Sequence, residues 1–124
     1  MKLVWVVRGF MAVQATLFIA AGSMHFGLFL DEYAYRAAGL AESIIAAVLV
    51  LGLALTWASP YWARRAAIAA QSFGLLGVCV GLMTIVIGVG PRTALDLTIH
   101  GAMLVALVAG LIVTLQRKFA GALT

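Results

Sequence analysis

Charged residues are scarce in this chain of 124 residues. Only 10% of its residues are charged, against about 25% in an ordinary soluble domain, whereas 65% are hydrophobic and the mean hydropathy is +1.16. A soluble domain of this length could not bury so much apolar surface. The composition therefore favours an integral membrane protein with a single domain.

Cysteine is almost absent, since Cys79 is the single one and lies inside an apolar run. One thiol cannot form an internal disulfide and there is no CxxC pair, which excludes a dithiol mechanism within this chain. The sequence also lacks a nucleophile paired with a base and a phosphate-binding loop. The basic residues stand at the ends of apolar runs and not in a stripe, so we expect no nucleic-acid partner.

Four apolar segments are each long enough to cross a bilayer, which takes roughly 20 residues. They run from about residue 4 to 30, 36 to 58, 66 to 89 and 93 to 115. The breaks are two acids at 31 and 32, the Ser59–Pro60 pair, and the glycines and proline of 88–91. Arg8 interrupts the first run, so we expect a retained helix and not a cleaved signal peptide. Because every link is short, the sequence predicts an all-α, up-down-up-down four-helix bundle in the membrane.

The basic residues predict the orientation of this bundle. Only Arg36 and Arg92 fall on one side of the membrane. The other six fall on the opposite side, at Lys2, Arg8, Arg64, Arg65, Arg117 and Lys118. Because lysine and arginine are enriched in cytoplasmic loops, we predict that the N- and C-termini are both cytoplasmic. The expected location is an inner (plasma) membrane of the bacterial type.

The acids and histidines gather in the outer half of the bundle, at Asp31, Glu32, Glu42, Asp96, His25 and His100. Glu42 lies about two turns into the second helix, where an ionised carboxylate costs several kcal/mol unless it is paired or reached by water. One interpretation is that it marks a path for an ion or a ligand. The other is that it is paired with Arg36 or Arg92, or protonated, and holds the helices in register.

The two histidines suggest a cofactor site. Asp96 and His100 are four residues apart and share a helix face, so the carboxylate could accept a proton from one imidazole nitrogen and orient the other. Antiparallel helices would place His25, Glu42 and His100 at a similar depth. His25 and His100 could ligate a transition metal, together with a carboxylate, or a haem iron from both sides. The sequence has no HxxxH or ExxH motif, and a structural or proton-handling role is the alternative.

Two further features concern helix surfaces. Arg8 lies about one turn into the first helix, where it could extend to lipid headgroups or bind an anionic lipid or a quinone carbonyl. Gly77 and Gly81 share a face of the third helix, which indicates either an internal packing seam or a dimer face.

The order of features in the first two helices is typical of a known family. The first helix contains RGFMAVQATLFIAAGSMHF, with Arg8 and Gly22, and the second contains AESIIAAVLVLG, with Glu42 and Gly52. In this the chain resembles the DoxX-like group of small four-helix membrane proteins, although the third and fourth helices match only in hydropathy. The resemblance implies an association with membrane redox systems, including quinone-linked sulfur oxidation and thiol-oxidant defence. With one cysteine, the chain departs from a thiol-active pattern, and it carries His25 where such proteins often have lysine.

The leading hypothesis is a non-catalytic or accessory subunit of a membrane redox or other multi-subunit complex. An apolar ligand or cofactor, quinone or haem, would lie near the outer face. The residues expected to contact it are His25, Glu42, Asp96 and His100. The alternatives are a small dimeric proton-coupled transporter or channel that uses Glu42, and a purely structural or assembly subunit. We expect the partners to be the lipid bilayer and either other membrane subunits or further copies of this chain.

Overall fold

The chain folds into four long α-helices in a computed structural model that describes residues 2–116. The helices are α1 (Lys2–His25), α2 (Arg36–Ala58), α3 (Pro60–Ile87) and α4 (Ala94–Leu115), with a short 3-10 turn at Asp31–Tyr33. No β-strand occurs between residues 2 and 116, so the prediction of an all-α, four-helix protein is confirmed for this range. Arg117, Lys118 and the side chain of Lys2, which entered the orientation prediction, lie outside the described residues.

Each helix is long and apolar enough to cross a membrane. The helices have 22 to 28 residues, which corresponds to about 33–42 Å at 1.5 Å per residue, against a hydrocarbon core of about 30 Å. Their mean hydropathy is 1.8 to 2.2. Large apolar side chains are exposed along all four helices, among them Ile19, Leu51, Leu76 and Val105. The fold is that of a multi-pass membrane protein with lipid-facing apolar side chains.

The helices form a ring in which each packs against its sequence neighbours and α1 also packs against α4. Arg8, near the start of α1, bonds Thr56, near the end of α2, whereas His25, at the end of α1, bonds Glu42, near the start of α2. Successive helices therefore run in opposite directions. We call the end that carries the links 26–35 and 88–93 the two-loop end, and the end that carries Ser59 the one-loop end.

Helix α1 ends at His25, five residues before the end that the apolar run predicts. Gly27 adopts a φ of +75°, its N–H donates to the carbonyl of Met24 at 2.9 Å, and that of Leu28 donates to Ser23 at 3.1 Å. This is a Schellman arrangement, which satisfies the last carbonyls of a helix and turns the chain away. The remaining apolar residues up to Leu30 lie in the link, so His25 lies at the end of the helix and not within it.

Helix α3 begins at Pro60, six residues before the predicted start near Ala66. Proline has no N–H to lose in the first turn of a helix and its φ suits that position, so it starts α3 as well as ending α2. Arg64 and Arg65 are therefore helical residues. The single residue Ser59 joins α2 to α3, and Gly88, at a φ of +84°, ends α3.

Candidate functional site

Four ionisable side chains that the sequence singles out meet at the two-loop end. They are His25 on α1, Glu42 on α2, and Asp96 and His100 on α4, and all are buried, with 4 to 8% of their surface exposed. Glu42 and His100 each lie six residues inside their helices, about 9 Å from the first residue. Because the two helices begin at the same end of the bundle, these side chains reach the same depth, where α1 ends with His25.

His25 bridges two carboxylates. Its Nδ1 lies 2.7 Å from Oε2 of Glu42 and its Nε2 lies 3.4 Å from Oδ1 of Asp96. A doubly protonated ring donates a hydrogen bond to Glu42 and lies at ion-pair distance from Asp96, so it ties α1 to α2 and α4. In the part of the chain that the structure describes, Glu42 makes no ion pair with Arg36 or Arg92, so the predicted pairing with an arginine is wrong.

Asp96 is held at the start of α4 by Thr93. Oδ2 of Asp96 accepts from the hydroxyl of Thr93 at 2.5 Å and from its backbone N–H at 3.1 Å, and the N–H of Asp96 donates back to the Thr93 hydroxyl. This capping box fixes the carboxylate beside the positive end of the helix dipole. Its second oxygen, Oδ1, then faces His25.

The ring of His100 is oriented by the backbone of its own helix. Nδ1 lies 2.8 Å from the carbonyl oxygen of Asp96. The prediction that the Asp96 carboxylate orients this ring is wrong, because that carboxylate is engaged by Thr93 and His25. A carbonyl oxygen only accepts, so Nδ1 carries the hydrogen and Nε2 of the neutral ring is an acceptor. The ring edge packs on Gly81, where a Cβ would lie 2.8 Å from Nε2.

A cavity of about 210 Å³ adjoins these four side chains. Its walls are otherwise mainly apolar and include Phe18, Ile45, Val78, Ile85, Gly77 and Gly81. Glu42 is one of the lining residues, and its Oε1, which is fully buried, has no hydrogen-bond partner among residues 2–116. The cavity thus combines an apolar body with a polar end that contains an unsatisfied acceptor.

The two links of the two-loop end cover the cavity on the side that faces away from the centre of the bundle. Tyr35 and Pro91 line it, the N–H of Tyr35 donates to the carbonyl of His25 at 2.9 Å, and the ring of Tyr35 packs on Gly90, which adopts a φ of +81°. Tyr35, Gly81 and Thr93 were not among the site residues expected from the sequence. The pattern Thr93-x-x-Asp96 is a readable capping signal, whereas nothing local marks Tyr35 or Gly81 as parts of a site.

The two ring nitrogens of His25 are both directed at carboxylates, which bears on the metal and haem hypotheses. Within the described range, no group of three or more histidine, cysteine or acidic side chains is arranged to hold a metal ion. Ligation of one iron by His25 and His100 would require His25 to leave Glu42 or Asp96. Nε2 of His100, which packs beside Gly81, is the imidazole nitrogen of the site that has no hydrogen-bond or ion-pair partner among the described residues.

Arg8 and Arg92 lie apart from the cavity. Arg8, at the one-loop end, donates through Nε to the hydroxyl of Thr56 at 3.0 Å and through Nη2 to its carbonyl. Its guanidinium also lies 5.1 Å and 4.6 Å from the ring centroids of Trp5 and Trp57. Arg8 thus supplies a hydrogen-bond donor to a carbonyl in the last turn of α2, where the helix itself provides none. Arg92 is exposed near Gly88 and does not line the cavity.

A second buried polar cluster ties α1, α3 and α4 together nearer the one-loop end. Nε2 of Gln14 donates to Oε1 of Gln71 at 3.0 Å and to the carbonyl of Ala106 at 2.9 Å. Nε2 of Gln71 donates to the hydroxyl of Thr114 at 2.8 Å. A layer of buried apolar side chains separates this amide cluster from the cavity, with Phe18, Leu49, Val78, Met103 and Leu107.

Comparison of the chain with protein-family models, with curated proteins and with solved structures gives no match. The chemistry of the site is therefore argued from its geometry. The polar end of the cavity offers two carboxyl groups and two imidazoles, which can accept hydrogen bonds and exchange protons. These groups can bind and orient a polar head whose remaining surface is apolar.

Proposed function

We propose that this chain is an accessory subunit of a redox or other multi-subunit complex in a bacterial-type inner membrane, and that its cavity binds a lipid-soluble ligand of the quinone class. The observation that carries this proposal is the cavity itself, with apolar walls and four ionisable side chains at one end. Pockets for small molecules commonly have this composition, in which a few polar groups orient an otherwise apolar ligand.

The unsatisfied oxygen of Glu42 supports a ligand over a purely structural role. Buried polar atoms in folded proteins almost always have a hydrogen-bond partner, and an unpaired one costs about 1–3 kcal/mol or more when it is charged. Oε1 of Gln14, in the amide cluster, also has no partner among the described residues, but Gln14 does not line the cavity. Glu42 is one of the residues that line the cavity, and rotation of its carboxylate would bring its Oε1 to a bound molecule that supplies the missing partner.

The size of the cavity and the state of His25 favour a single polar ring over haem. The cavity of about 210 Å³ is smaller than the roughly 300–1,000 Å³ typical of pockets for larger ligands. A quinone head is one substituted ring, and its tail can remain in the lipid. Both nitrogens of His25 are directed at carboxylates, so His25 is unsuited to ligate iron in this arrangement. The resemblance of the first two helices to DoxX-like proteins agrees with a redox context.

The proposed orientation places both termini in the cytoplasm and the two-loop end outside. Support comes from the arginines at the one-loop end, Arg8, Arg64 and Arg65, together with exposed aromatic side chains of the kind that gather at membrane interfaces. Those aromatic residues are Trp5, Trp57, Tyr61 and Trp62. The cavity then lies within the outer leaflet, at the depth of a membrane-dissolved ligand.

Purification from native membranes tests this function. We expect protein isolated in a mild detergent to retain a quinone-class molecule, measured as total quinone plus quinol by extraction and mass spectrometry. Glu42→Gln should lower the retained amount at least fivefold, whereas the exposed acid variant Glu32→Gln should not. Wild-type protein that retains no such molecule, and binds none when it is added in nanodiscs, contradicts the proposal.

A proton-coupled transporter is the second candidate function. The observation that favours it is the row Glu42–His25–Asp96, in which three groups that can exchange protons connect α2, α1 and α4. The buried layer around Phe18, Met103 and Leu107 separates this row from the amide cluster, so in this conformation the cavity does not continue to the one-loop end. The membrane path of a transporter would require that layer to open.

Liposome uptake driven by a proton gradient separates the two candidates. A transporter would lose gradient-driven uptake of a cationic dye in the Glu42→Gln variant and keep it in Glu32→Gln. A ligand-binding subunit would show no uptake above that of empty liposomes in any of these proteins.

A further inference from the structure

We propose that the cavity recognises its ligand as a hydrogen-bond donor, so that it binds a quinol in preference to the corresponding quinone, and that the ligand arrives from the lipid through a gap between α2 and α3. This inference rests on the proposed function and adds the redox form and the access route. A quinone becomes a quinol by taking up two electrons and two protons, which converts two carbonyl acceptors into two O–H donors. The two forms have nearly the same shape and differ in hydrogen bonding.

The polar end of the cavity presents acceptors. Oε1 of Glu42 has no partner among the described residues, and Nε2 of His100 carries a lone pair because Nδ1 donates to the carbonyl of Asp96. A quinone carbonyl placed against either atom would bring two acceptors together. A quinol O–H can donate to either of them, and a bond to a charged acceptor is stronger than one between neutral groups.

The other polar groups of the cavity have little capacity to donate to a quinone. Both N–H groups of His25 are directed at Glu42 and Asp96. The hydroxyl of Thr84 donates to the carbonyl of Gly81 at 2.7 Å. Asp96 accepts from Thr93. Among the side chains of the described chain that line the cavity, the hydroxyl of Tyr35, in the link between α1 and α2, is the remaining hydrogen-bond donor. The substitution Tyr35→Phe removes it.

The net negative charge strengthens this preference. With Glu42 and Asp96 ionised and His25 doubly protonated, the three groups carry one net negative charge, in a region where apolar surroundings screen charges weakly. The positive end of an O–H dipole is attracted to such a site, and the negative end of a C=O dipole is repelled. Charge and hydrogen-bonding capacity thus favour the same redox form.

The gap between α2 and α3 connects the cavity to the lipid. The lining residues on α1 and α4 are all buried, whereas α2 contributes the exposed Ala37 and Ala41 and α3 contributes Val80, which is 56% exposed. The side chains of Ala37 and Ala41 are small, which leaves this part of the contact between α2 and α3 open to the lipid. The packing of Tyr35 on Gly90 closes the aqueous side. A hydrocarbon tail can therefore extend through the gap while the head contacts Glu42.

Calorimetric titration of the full chain in phosphatidylcholine nanodiscs, under nitrogen, tests donor recognition. The probes are duroquinol, duroquinone and the dimethyl ether of duroquinol, which keeps the ring and loses both O–H groups. We expect duroquinol to bind at least tenfold more tightly than the other two. A tenfold preference also raises the two-electron midpoint potential of the bound couple by about 30 mV.

Two variants sharpen this test. Glu42→Gln replaces the free acceptor by an amide that can donate, so the preference for quinol should fall at least tenfold, and the exposed control Glu32→Gln should keep it. Tyr35→Phe should also keep it. Equal binding of duroquinol and duroquinone by the wild-type protein overturns donor recognition alone, and so does an unchanged preference in Glu42→Gln. Absence of binding by all three probes overturns the proposed function as well.

The access route is tested with decylubiquinol, whose tail must occupy the gap. Ala41→Phe should weaken its binding at least tenfold, whereas Ala54→Phe, at an exposed position of the same helix away from the cavity, should not. Val80→Trp narrows the same gap from α3 and provides a second variant if Ala41→Phe does not fold, as judged by circular dichroism. Wild-type affinity in a folded gap variant overturns access between α2 and α3 and leaves donor recognition standing.

Discussion

His25 balances the charge of the site. It lies between two buried carboxylates on different helices, at 2.7 Å and 3.4 Å, and no arginine or lysine of the described chain pairs with either of them. Removing one partner of a buried ion pair leaves an uncompensated charge, which costs more than the pair itself contributes. The stability of the two-loop end therefore depends on this imidazole.

We expect His25→Asn to lower the free energy of unfolding by about 3–5 kcal/mol, the usual cost of breaking a buried pair. The measurement is unfolding in mixed micelles followed by circular dichroism. The double variant His25→Asn/Glu42→Gln removes one of the two unpaired charges and should be less destabilised than the single variant. A double variant at least as unstable as the single one would show that Glu42 is not ionised beside His25.

Gly81 has no side chain, and this leaves space for the ring of His100. The ring of His100 rests where a side chain would otherwise lie, and the contact distance from a Cβ to Nε2 would be 2.8 Å. Gly77, one turn earlier, leaves room for Ile45 in the same way. Both glycines face the interior of the bundle and line the cavity. Their position agrees with an internal packing seam and gives no support to a dimer face.

Helix ends position the site. Gly27, two residues after His25, ends α1, and Thr93 begins α4 three residues before Asp96. These two local motifs bring an imidazole and a carboxylate together, because the ends of α1 and α4 meet at the two-loop end. Capping is usually discussed as a contribution to helix stability of about 1 kcal/mol. Here the same interactions also fix the direction of two site residues.

Close packing of α4 against α1 and α3 depends on Gly110. A Cβ at this position would collide with the amide groups of Gln14 and Gln71. Gly101 lies on the same helix and has no atom within 4 Å of the corresponding Cβ position. The two glycines therefore form a matched pair for a stability measurement.

We expect Gly110→Ala to destabilise the protein by about 1–3 kcal/mol, the usual cost of overpacking. Gly101→Ala should be neutral or stabilising by up to about 1 kcal/mol, since alanine favours the helix over glycine. Unfolding in mixed micelles measures both. Equal effects of the two substitutions would indicate that α4 does not pack on the amide cluster as described.

The whole molecule is layered along its axis. An ionisable layer at the two-loop end, an apolar layer around Phe18 and Leu107, and an amide layer at Gln14 and Gln71 follow one another. The ion pairs of His25 with Glu42 and Asp96 thus lie within one layer. The proposed orientation places this layer in the outer leaflet. A binding site open to one leaflet follows from this arrangement more directly than a path through the bundle.

Cysteine labelling measures the orientation at this scale. In a Cys79→Ser background, we expect Glu32→Cys in the α1–α2 link to react with a membrane-impermeant maleimide in intact cells. Ala58→Cys beside Ser59 should react only after the cells are permeabilised. The reverse pattern would place both termini outside, and labelling of both positions in intact cells would contradict a pair of opposite membrane faces.

The sequence by itself determined the number of helices, their approximate bounds and the group of ionisable residues near one end. Spanning a bilayer requires a long apolar run for each helix, and short links leave little choice but hairpins, so these properties follow from local composition. The same depth of Glu42 and His100 follows from counting residues along two helices that start at the same end.

The tertiary structure alone decided which of these residues bond to each other. The sequence allowed Glu42 to pair with an arginine and Asp96 to orient His100, but Glu42 pairs with His25 and Asp96 is held by Thr93. In a membrane, the lipid-facing and the interior faces of a helix are both apolar, so the pattern of side chains does not reveal how each helix is rotated. That rotation brings the two acceptors to the cavity and exposes the small residues of the gap between α2 and α3.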